Sequence, residues 1–304
     1  MSNTLRAHFA LLIAMTLWGS SFIALKIAVT DMPPMIVVFL RMLVASITFI
    51  VLAIWLRPRI QYQAGDWRYL LGMAFFEPCL YFLFEAKALQ YTSAGQAGMV
   101  TSLLPLMVAV AAFFIFKERN TLKQWLGFLV ALSGVLWMSL TTQESDQASN
   151  ALLGNFLELM AMVTAVGYTL LVKHLVQRYN AFVLTAMQSF MGAIFFFPLA
   201  IMSDWPEKVA LSSMGMIVYL GIVITLGAYG LYNYSLKFVK TATAAAYVNL
   251  LPVTALLFSM LLLGERLVMQ QWLAIVVIFI GVYFSREPKA LKDKDKDIPP
   301  AITG

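Results

Sequence analysis

Long apolar runs separated by short polar segments fill almost the whole chain. Each run is about as long as a helix needs to cross a bilayer core, which takes roughly 20 residues. Because lipid offers the backbone no hydrogen-bond partner, such segments must be helical, and the strict alternation typical of a β-barrel is missing. The pattern therefore predicts an all-α polytopic membrane protein with ten transmembrane helices. The ten runs lie at positions 8–29, 33–55, 67–89, 92–116, 123–140, 150–174, 180–202, 211–238, 241–263 and 269–286.

Composition narrows the class of protein further. Of the 304 residues, 61% are hydrophobic and 12% are charged, whereas a soluble domain has about 45–50% and about 25%. These values exclude an ordinary soluble enzyme, a disordered chain and a nucleic-acid-binding domain. Cys79 is the single cysteine, and His8 and His174 lie far apart in sequence. We therefore expect no disulfide, no metal site and no cofactor.

The positive charges are unevenly distributed and predict a topology. With the N-terminus inside, sixteen of the twenty-one Lys and Arg residues fall in inner loops or the C-terminal tail. Such an excess marks the cytoplasmic side of a membrane protein. We therefore expect a multi-pass protein of the cell inner membrane with both termini in the cytoplasm. The net charge of +6 is explained by topology and indicates no nucleic-acid partner.

The two halves of the chain resemble each other at an offset of 147 residues. Each half has five runs, and because five is odd the second half is inserted upside down relative to the first. The predicted units are a first five-helix repeat at 1–140, a second, inverted repeat at 150–286, and a solvated cytoplasmic tail at 287–304. Inverted repeats are typical of secondary transporters, whose site lies near the midplane between the repeats; channels and structural subunits are the alternatives. The matching motifs are Leu103-Leu104-Pro105 with Leu250-Leu251-Pro252, Gln124-Trp125 with Gln271-Trp272, and Gly134-Val135 with Gly281-Val282.

A longer motif set recurs in both halves: residues 91–97 (Tyr-Thr-Ser-Ala-Gly-Gln-Ala), 104–105, 117–119 and 124–127, and then 239–245, 251–252, 264–266 and 270–273. Together with Trp18-Gly19 and Arg41, it resembles the EamA family of the drug/metabolite transporter superfamily over about residues 8–286. The resemblance implies a ten-span inner-membrane exporter of small metabolites with a central cavity lined by spans 1, 3, 4, 6, 8 and 9. The second half departs from the pattern, because Gln188 stands where Arg41 would repeat.

The third span carries the most informative polar residues. Glu77, Tyr81 and Glu85 are four residues apart and share one helix face. Counted from Trp67 at about 1.5 Å per residue, Glu77 lies about 15 Å into the span, close to the midplane. Pro78 follows it and frees a backbone carbonyl. This arrangement favours a proton or substrate-amine site at Glu77, and the alternative is a structural, protonated glutamate.

An ion pair is predicted near the outer side. Arg41 lies eight residues inside the second span, and Glu85 and Glu158 are its candidate partners at that depth. Charged residues within a membrane cost free energy, so each of them is first considered as a functional residue. The pair could be structural, or it could form an outer gate that breaks during transport.

Further polar and aromatic residues are candidates for the wall of the cavity. Pro105 and Pro252 occupy matched places in the fourth and ninth spans and are predicted to bend them, which would expose carbonyls. Interfacial belts and plain packing are the alternatives for the aromatic residues. The predicted substrate-binding residues, besides Glu77 and Tyr81, are Trp18, Ser102, Tyr168, Tyr229, Tyr232, Asn233, Tyr247 and Asn249.

The function predicted from the sequence is secondary transport by alternating access. No nucleophile elbow, zinc-protease motif or phosphate-binding loop is present, so we expect no enzyme and no ATP-driven pump. The leading cargo is a small polar or zwitterionic metabolite, with amino-acid export favoured. Efflux of cationic drugs is the first alternative, and a membrane-embedded enzyme or a channel the next. The expected partners are a small-molecule substrate, the lipid bilayer and, as a candidate coupling ion, the proton; we expect a monomer.

Overall fold

The computed structural model of the protein describes residues 3–58, 62–116, 121–141, 148–239, 244 and 247–284. Within these ranges the regular structure is helical and contains no β-strand. The predicted tail at 287–304 lies outside the described residues. The helices are α1 (Asn3–Asp31), α2 (Pro34–Leu56), α3 (Trp67–Tyr91), α4 (Ala94–Val100, continued after the turn Thr101–Leu103 by Leu104–Phe116), α5 (Leu122–Thr141), α6 (Ala151–Leu175), α7 (Ala181–Ile201), α8 (Leu211–Phe238), α9 (Leu251–Leu262) and α10 (Met269–Phe284).

Six helices are long and apolar enough to cross a membrane: α1, α2, α3, α6, α7 and α8. Shorter apolar segments lie in α4, α5, α9 and α10. Large apolar side chains such as Trp55 and Leu211 are 83% and 88% exposed, as expected of a surface that faces lipid rather than water. The protein is therefore an all-helical, multi-pass membrane protein, and the exact number of ten spans stays a prediction.

Polar caps and prolines set the helix boundaries. The side chains of Ser93, Asn150 and Asn180 accept hydrogen bonds from the first turns of α4, α6 and α7. Such caps satisfy backbone N–H groups that have no partner within the helix. Pro34 begins α2, where its missing N–H costs nothing.

Two long helices are interrupted near their middles. In α3 the segment Phe75–Leu80 is π-helical, and Glu77 has an extended backbone, with φ −146° and ψ 115°. Pro78 causes this break because it cannot donate a helical hydrogen bond. In α8 the segment Leu220–Ala228 is also π-helical. The interruption of α3 brings Glu77 to the cavity described below, and the interruption of α8 ends directly before Tyr229, which lines the same cavity.

The other two predicted kinks differ from each other. Pro105 lies at the start of the α-helical segment Leu104–Phe116, directly after the 3₁₀ turn Thr101–Leu103 that interrupts α4. Pro252 lies in the first turn of α9, because the chain turns at Asn249–Leu250 and a new helix begins at Leu251. The ninth apolar run is therefore not one continuous bent helix at this point, and proline at this position starts a helix without straining it.

Candidate functional site

A cavity of about 60 Å³, measured as the space open to the centre of a water molecule, lies at the centre of the bundle. It is bounded by α1, α2, α3, α4, α6 and α8 and by the start of α9, so both halves of the chain contribute. The sequence analysis placed spans 1, 3, 4, 6, 8 and 9 around a cavity, and the structure adds α2 through Arg41. Eight of the predicted site residues line it together: Trp18, Arg41, Glu77, Tyr81, Glu85, Tyr168, Tyr229 and Tyr232.

Glu77 occupies the break in α3 and is 5% exposed. The Tyr229 hydroxyl donates a hydrogen bond to its carboxyl oxygen Oε1. Its backbone carbonyl accepts a hydrogen bond of 3.0 Å from Nε2 of Gln188 on α7. The break therefore has two consequences: it directs the carboxyl group toward the cavity, and it exposes a carbonyl that a neighbouring helix satisfies.

Aromatic side chains form one wall beside Glu77. The Trp18 ring lies 4.9 Å from the rings of both Tyr229 and Tyr232, measured between centroids. The Trp18 Nε1 group is buried and has no hydrogen-bond partner among the described residues. This wall therefore offers aromatic faces and one unused N–H donor to a solute in the cavity.

Arg41 is 2% exposed and does not form the predicted ion pair. Its Nε donates a 3.0 Å hydrogen bond to Thr225, and its guanidinium group lies 4.1 Å from the centre of the Phe82 ring. Glu85 instead accepts a 2.8 Å hydrogen bond from the Tyr81 hydroxyl one turn earlier. In the described part of the chain the ion pair closer than 4 Å is a different one, Arg178 with Asp66. The prediction was wrong because a tyrosine on the same face and an aromatic ring provide these two groups with nearer partners.

Several other predicted residues lie outside the wall of the cavity. Asn233 stands behind the wall, where it accepts a 3.0 Å hydrogen bond from the Tyr168 hydroxyl. Tyr247 contacts His8, with 3.0 Å between its hydroxyl and Nδ1, near the start of α1. Ser102 is fully buried, and Asn249 lies in the turn before α9. Glu158 is fully buried on α6 and does not line the cavity.

The sequence analysis missed polar residues that do line the cavity. Ser21, Thr101 and Thr169 each donate a hydrogen bond to a carbonyl of their own helix, at 2.7, 2.6 and 2.8 Å. Hydroxyl groups that satisfy themselves in this way are common in helices and carry no signal of a site. The remaining wall residues that we did not predict are apolar: Phe22, Phe82, Leu104, Met162, Ala165, Val248 and Leu251.

The fold and the site together define a multi-pass membrane protein with a central cavity that both halves of the chain line. The profile of the EamA-like transporter family matches residues 5–140 and 152–286. The chain belongs to this family and is a membrane transporter. The matched regions end close to the predicted boundaries of the two repeats.

Relatives agree with this assignment, and a solved structure agrees with the fold. The uncharacterized transporter YetK of Bacillus subtilis is 26% identical, with 97% of this chain and 90% of that protein covered. An uncharacterized transporter of Archaeoglobus fulgidus is 28% identical over 92% of this chain and 98% of its own length. A crystal structure superposes with a TM-score of 0.66 over 94% of this chain and 98% of that chain, at 18% identity. At that identity the structural similarity supports the fold alone.

Proposed function

We propose that the protein is a secondary transporter that exports amino acids or related small zwitterions across the inner membrane by alternating access. The observation that carries this proposal is the chemistry of the cavity wall. Carboxyl groups, one guanidinium group and aromatic faces line the same space. This set matches a solute that carries an ammonium group, a carboxylate and an apolar part.

The two ends of a zwitterion would meet different sides of the cavity. Glu77 accepts a hydrogen bond from Tyr229, whose ring packs on that of Trp18, and a carboxylate next to aromatic faces suits an ammonium group. Arg41 uses Nε for Thr225, and its other nitrogens make no hydrogen bond or ion pair within the described chain. A planar guanidinium with free donors suits a substrate carboxylate.

We further propose that the transporter has ten spans arranged as two inverted repeats, 1–140 and 150–286. Pairs of contacts related by the 147-residue offset support this arrangement. Lys26 donates to the Leu89 carbonyl at 2.7 Å, and Lys173 donates to the Leu236 carbonyl at 3.3 Å. The π-helical segments of α3 and α8 also fall at matching positions in the two halves.

The close contact between α5 and α10 supports the same arrangement. A Cβ atom added to Gly134 would meet Ile278 and Ala274, and one added to Gly281 would meet Ala131 and Gly127. Gly127, Ala131 and Gly134 correspond to Ala274, Ile278 and Gly281 in the second half, at the offset of 147 residues. Each set contacts the other, as expected for a pseudo-two-fold axis that runs through the contact.

Reporter fusions test the orientation. Reporters placed after Arg59 and Arg178 should report the cytoplasm, and those placed after Gln143 and Trp205 should report the periplasm, because Lys and Arg concentrate on the first side. Alkaline phosphatase and green fluorescent protein fusions read out the two compartments. The opposite pattern would overturn both the orientation and the ten-span arrangement.

Counterflow in liposomes tests the substrate class. Purified protein should exchange a labelled amino acid saturably against an excess of the unlabelled one, and more weakly against the amine that lacks its carboxylate. Arg41→Gln should lower the affinity for the amino acid at least tenfold while changing that for the amine little, because Arg41 meets only the carboxylate. Arg41→Lys keeps the positive charge and should recover part of the affinity. Equal effects of Arg41→Gln on both solutes would contradict the proposed role of Arg41.

Efflux of cationic drugs is the second candidate function. It is favoured by the surplus of carboxyl groups over cations in the wall, where Glu77 and Glu85 face one Arg41. In the counterflow assay a drug carrier would exchange lipophilic cations and show no preference for a substrate carboxylate. That outcome would replace the amino-acid proposal while leaving secondary transport in place.

A further inference from the structure

The wall of the cavity carries one more carboxyl group than the proposed function uses. Among the described residues that line it, Glu77 and Glu85 are acidic, Arg41 is basic, and the other side chains are uncharged at neutral pH. In the proposed function Glu77 meets the ammonium group of an amino acid and Arg41 meets its carboxylate. Glu85 is left without a partner on the substrate.

Glu85 has a single hydrogen-bond partner within the described chain. The residue is 4% exposed, and its Oε1 accepts a 2.8 Å hydrogen bond from the Tyr81 hydroxyl. Its second oxygen, Oε2, receives no hydrogen bond from the residues that the structure describes, and none of their cationic groups lies within 4 Å. A buried carboxylate without a counter-ion costs free energy. One oxygen of Glu85 is therefore available to a cationic group in the cavity.

The two buried cations near Glu85 are directed elsewhere. The guanidinium group of Arg41 lies 4.1 Å from the centre of the Phe82 ring. Lys26 does not line the cavity, and its ammonium group donates hydrogen bonds of 2.7 and 2.9 Å to two backbone carbonyls at the end of α3. The counter-charge of Glu85 must therefore come from a proton or from a solute.

Glu77 and Glu85 offer two separate positions to a solute. They are eight residues apart on α3, which corresponds to about 12 Å of helix rise. Tyr229 on α8 holds the carboxyl group of Glu77, whereas Tyr81 on α3 holds that of Glu85. A solute with two cationic groups joined by a flexible chain matches this arrangement better than a solute with one ammonium group.

Charge balance favours the same kind of solute. When Glu77, Glu85 and Arg41 are ionised, they carry one net negative charge, and an unbalanced charge is costly in a medium of low dielectric constant. A zwitterion leaves that charge unchanged. An amino acid with a second ammonium group carries one net positive charge and cancels it. A diamine without a carboxylate would leave Arg41 unpaired.

We propose that the preferred substrates are basic amino acids of the lysine type, and that Glu85 binds the cationic group of their side chain. The aliphatic part of such a side chain would cover apolar wall residues such as Phe82, Leu104 and Met162, as lysine stems do on apolar protein surfaces. The inference rests on the proposed function, since Glu77 and Arg41 keep the roles given to them there. It makes Glu85 the residue that distinguishes basic from neutral amino acids.

Counterflow in liposomes at neutral pH compares three solutes. Lysine carries both ammonium groups and the carboxylate, α-aminoheptanoic acid has a methyl group in place of the side-chain ammonium, and cadaverine lacks the carboxylate. Lysine should reach half-saturation at a concentration at least about tenfold lower than either of the others, because each of them loses a charge-assisted hydrogen bond. Equal half-saturation for lysine and α-aminoheptanoic acid would overturn the inference and leave amino-acid transport standing.

Glu85→Gln tests whether this residue causes the preference. Glutamine keeps an acceptor for the Tyr81 hydroxyl and removes the negative charge. The half-saturation concentration of lysine should rise at least about tenfold, with little change for α-aminoheptanoic acid, because one ammonium group loses its partner. An equal effect on both solutes would show that Glu85 supports the cavity without binding the side chain, which overturns the inference. The comparison of solutes on the wild type decides the matter even if the variant does not fold.

Glu158→Gln is the matched control, because it makes the same change at a fully buried acid that does not line the cavity. It should leave the ratio of the half-saturation concentrations of lysine and α-aminoheptanoic acid at the wild-type value. A loss of preference as large as that in Glu85→Gln would show that the preference does not depend on contact with Glu85, and would overturn the inference.

Failure of the proposed function gives a different result from failure of this inference. If neither lysine nor α-aminoheptanoic acid exchanges, amino-acid transport is refuted and the inference falls with it. If α-aminoheptanoic acid exchanges and lysine does not, the inference alone is refuted. If cadaverine exchanges as well as lysine, the carboxylate is not recognised, which refutes the role of Arg41 together with the inference.

Discussion

Glu77→Gln should reduce proton-gradient-driven net flux to the level of protein-free liposomes while membrane abundance stays near that of the wild type. Glutamine has the shape of a protonated glutamate and keeps an acceptor for the Tyr229 hydroxyl, and Gln188 binds only the backbone carbonyl. We therefore expect the variant to fold. The variant, however, can neither take up and release a proton nor offer a charge to a substrate amine, so coupling is lost.

Liposome flux with and without an imposed pH gradient measures this effect, using an amino acid that the wild type exchanges. Exchange of labelled for unlabelled substrate should survive in Glu77→Gln if this residue carries only the proton, and should fall as well if it binds the amine. The matched control is Glu207→Gln, in the exposed loop between α7 and α8, which should behave as the wild type. Normal flux and exchange in Glu77→Gln would leave Glu77 as a packing residue.

Gly281→Ala should destabilise the protein by about 1–3 kcal/mol, the usual cost of overpacking. A Cβ atom at this position would lie 2.3 Å from the backbone nitrogen of Ala131 and 2.6 Å from the carbonyl oxygen of Gly127. Both are backbone atoms, so no side chain can move aside, and α5 and α10 must separate. Thermal unfolding in detergent, followed by the size-exclusion peak of the folded protein, should shift to lower temperature by several degrees.

Gly230→Ala is the matched control, because it makes the same change within helix α8. Nothing lies within 4 Å of a Cβ atom added there. Alanine favours a helix over glycine by about 1 kcal/mol, so this variant should be neutral or slightly more stable. Equal melting of the two variants would contradict the close contact between α5 and α10.

Periodicity predicted the third span well. The four-residue spacing of Tyr81 and Glu85 placed them on one face, and both line the cavity; Glu77 also lines it, although its extended backbone breaks the helical spacing. Spacing could not identify the hydrogen-bond partner of Glu77, because Tyr229 lies 152 positions away in the sequence. Spacing along one helix defines which side chains share a face, whereas contacts between helices depend on packing and rotation that local pattern does not contain.

The predictions that were wrong have specific physical causes. Charge alone suggested that Arg41 pairs with Glu85, but Tyr81 lies one turn before Glu85 and the Phe82 ring accepts the guanidinium. Tyr247 and Asn249 were assigned to the cavity as if the ninth run were one helix. A turn at Asn249–Leu250 separates these residues from α9, and among the described residues of this region Val248 and Leu251 reach the wall.

The interruption of α3 places Glu77 at a joint between two helical arms. A regular helix moves as one rod, but α3 consists of two helical arms joined at a residue with extended backbone angles. A small rotation about that joint tilts one arm without breaking hydrogen bonds in the other. The Glu77 carboxyl group lies at this joint and accepts a hydrogen bond from Tyr229 on α8, which has its own π-helical segment. A tilt of either arm therefore changes the distance between Glu77 and Tyr229. If Glu77 carries the coupling proton, as proposed, its protonation and the angle between the two arms should therefore change together.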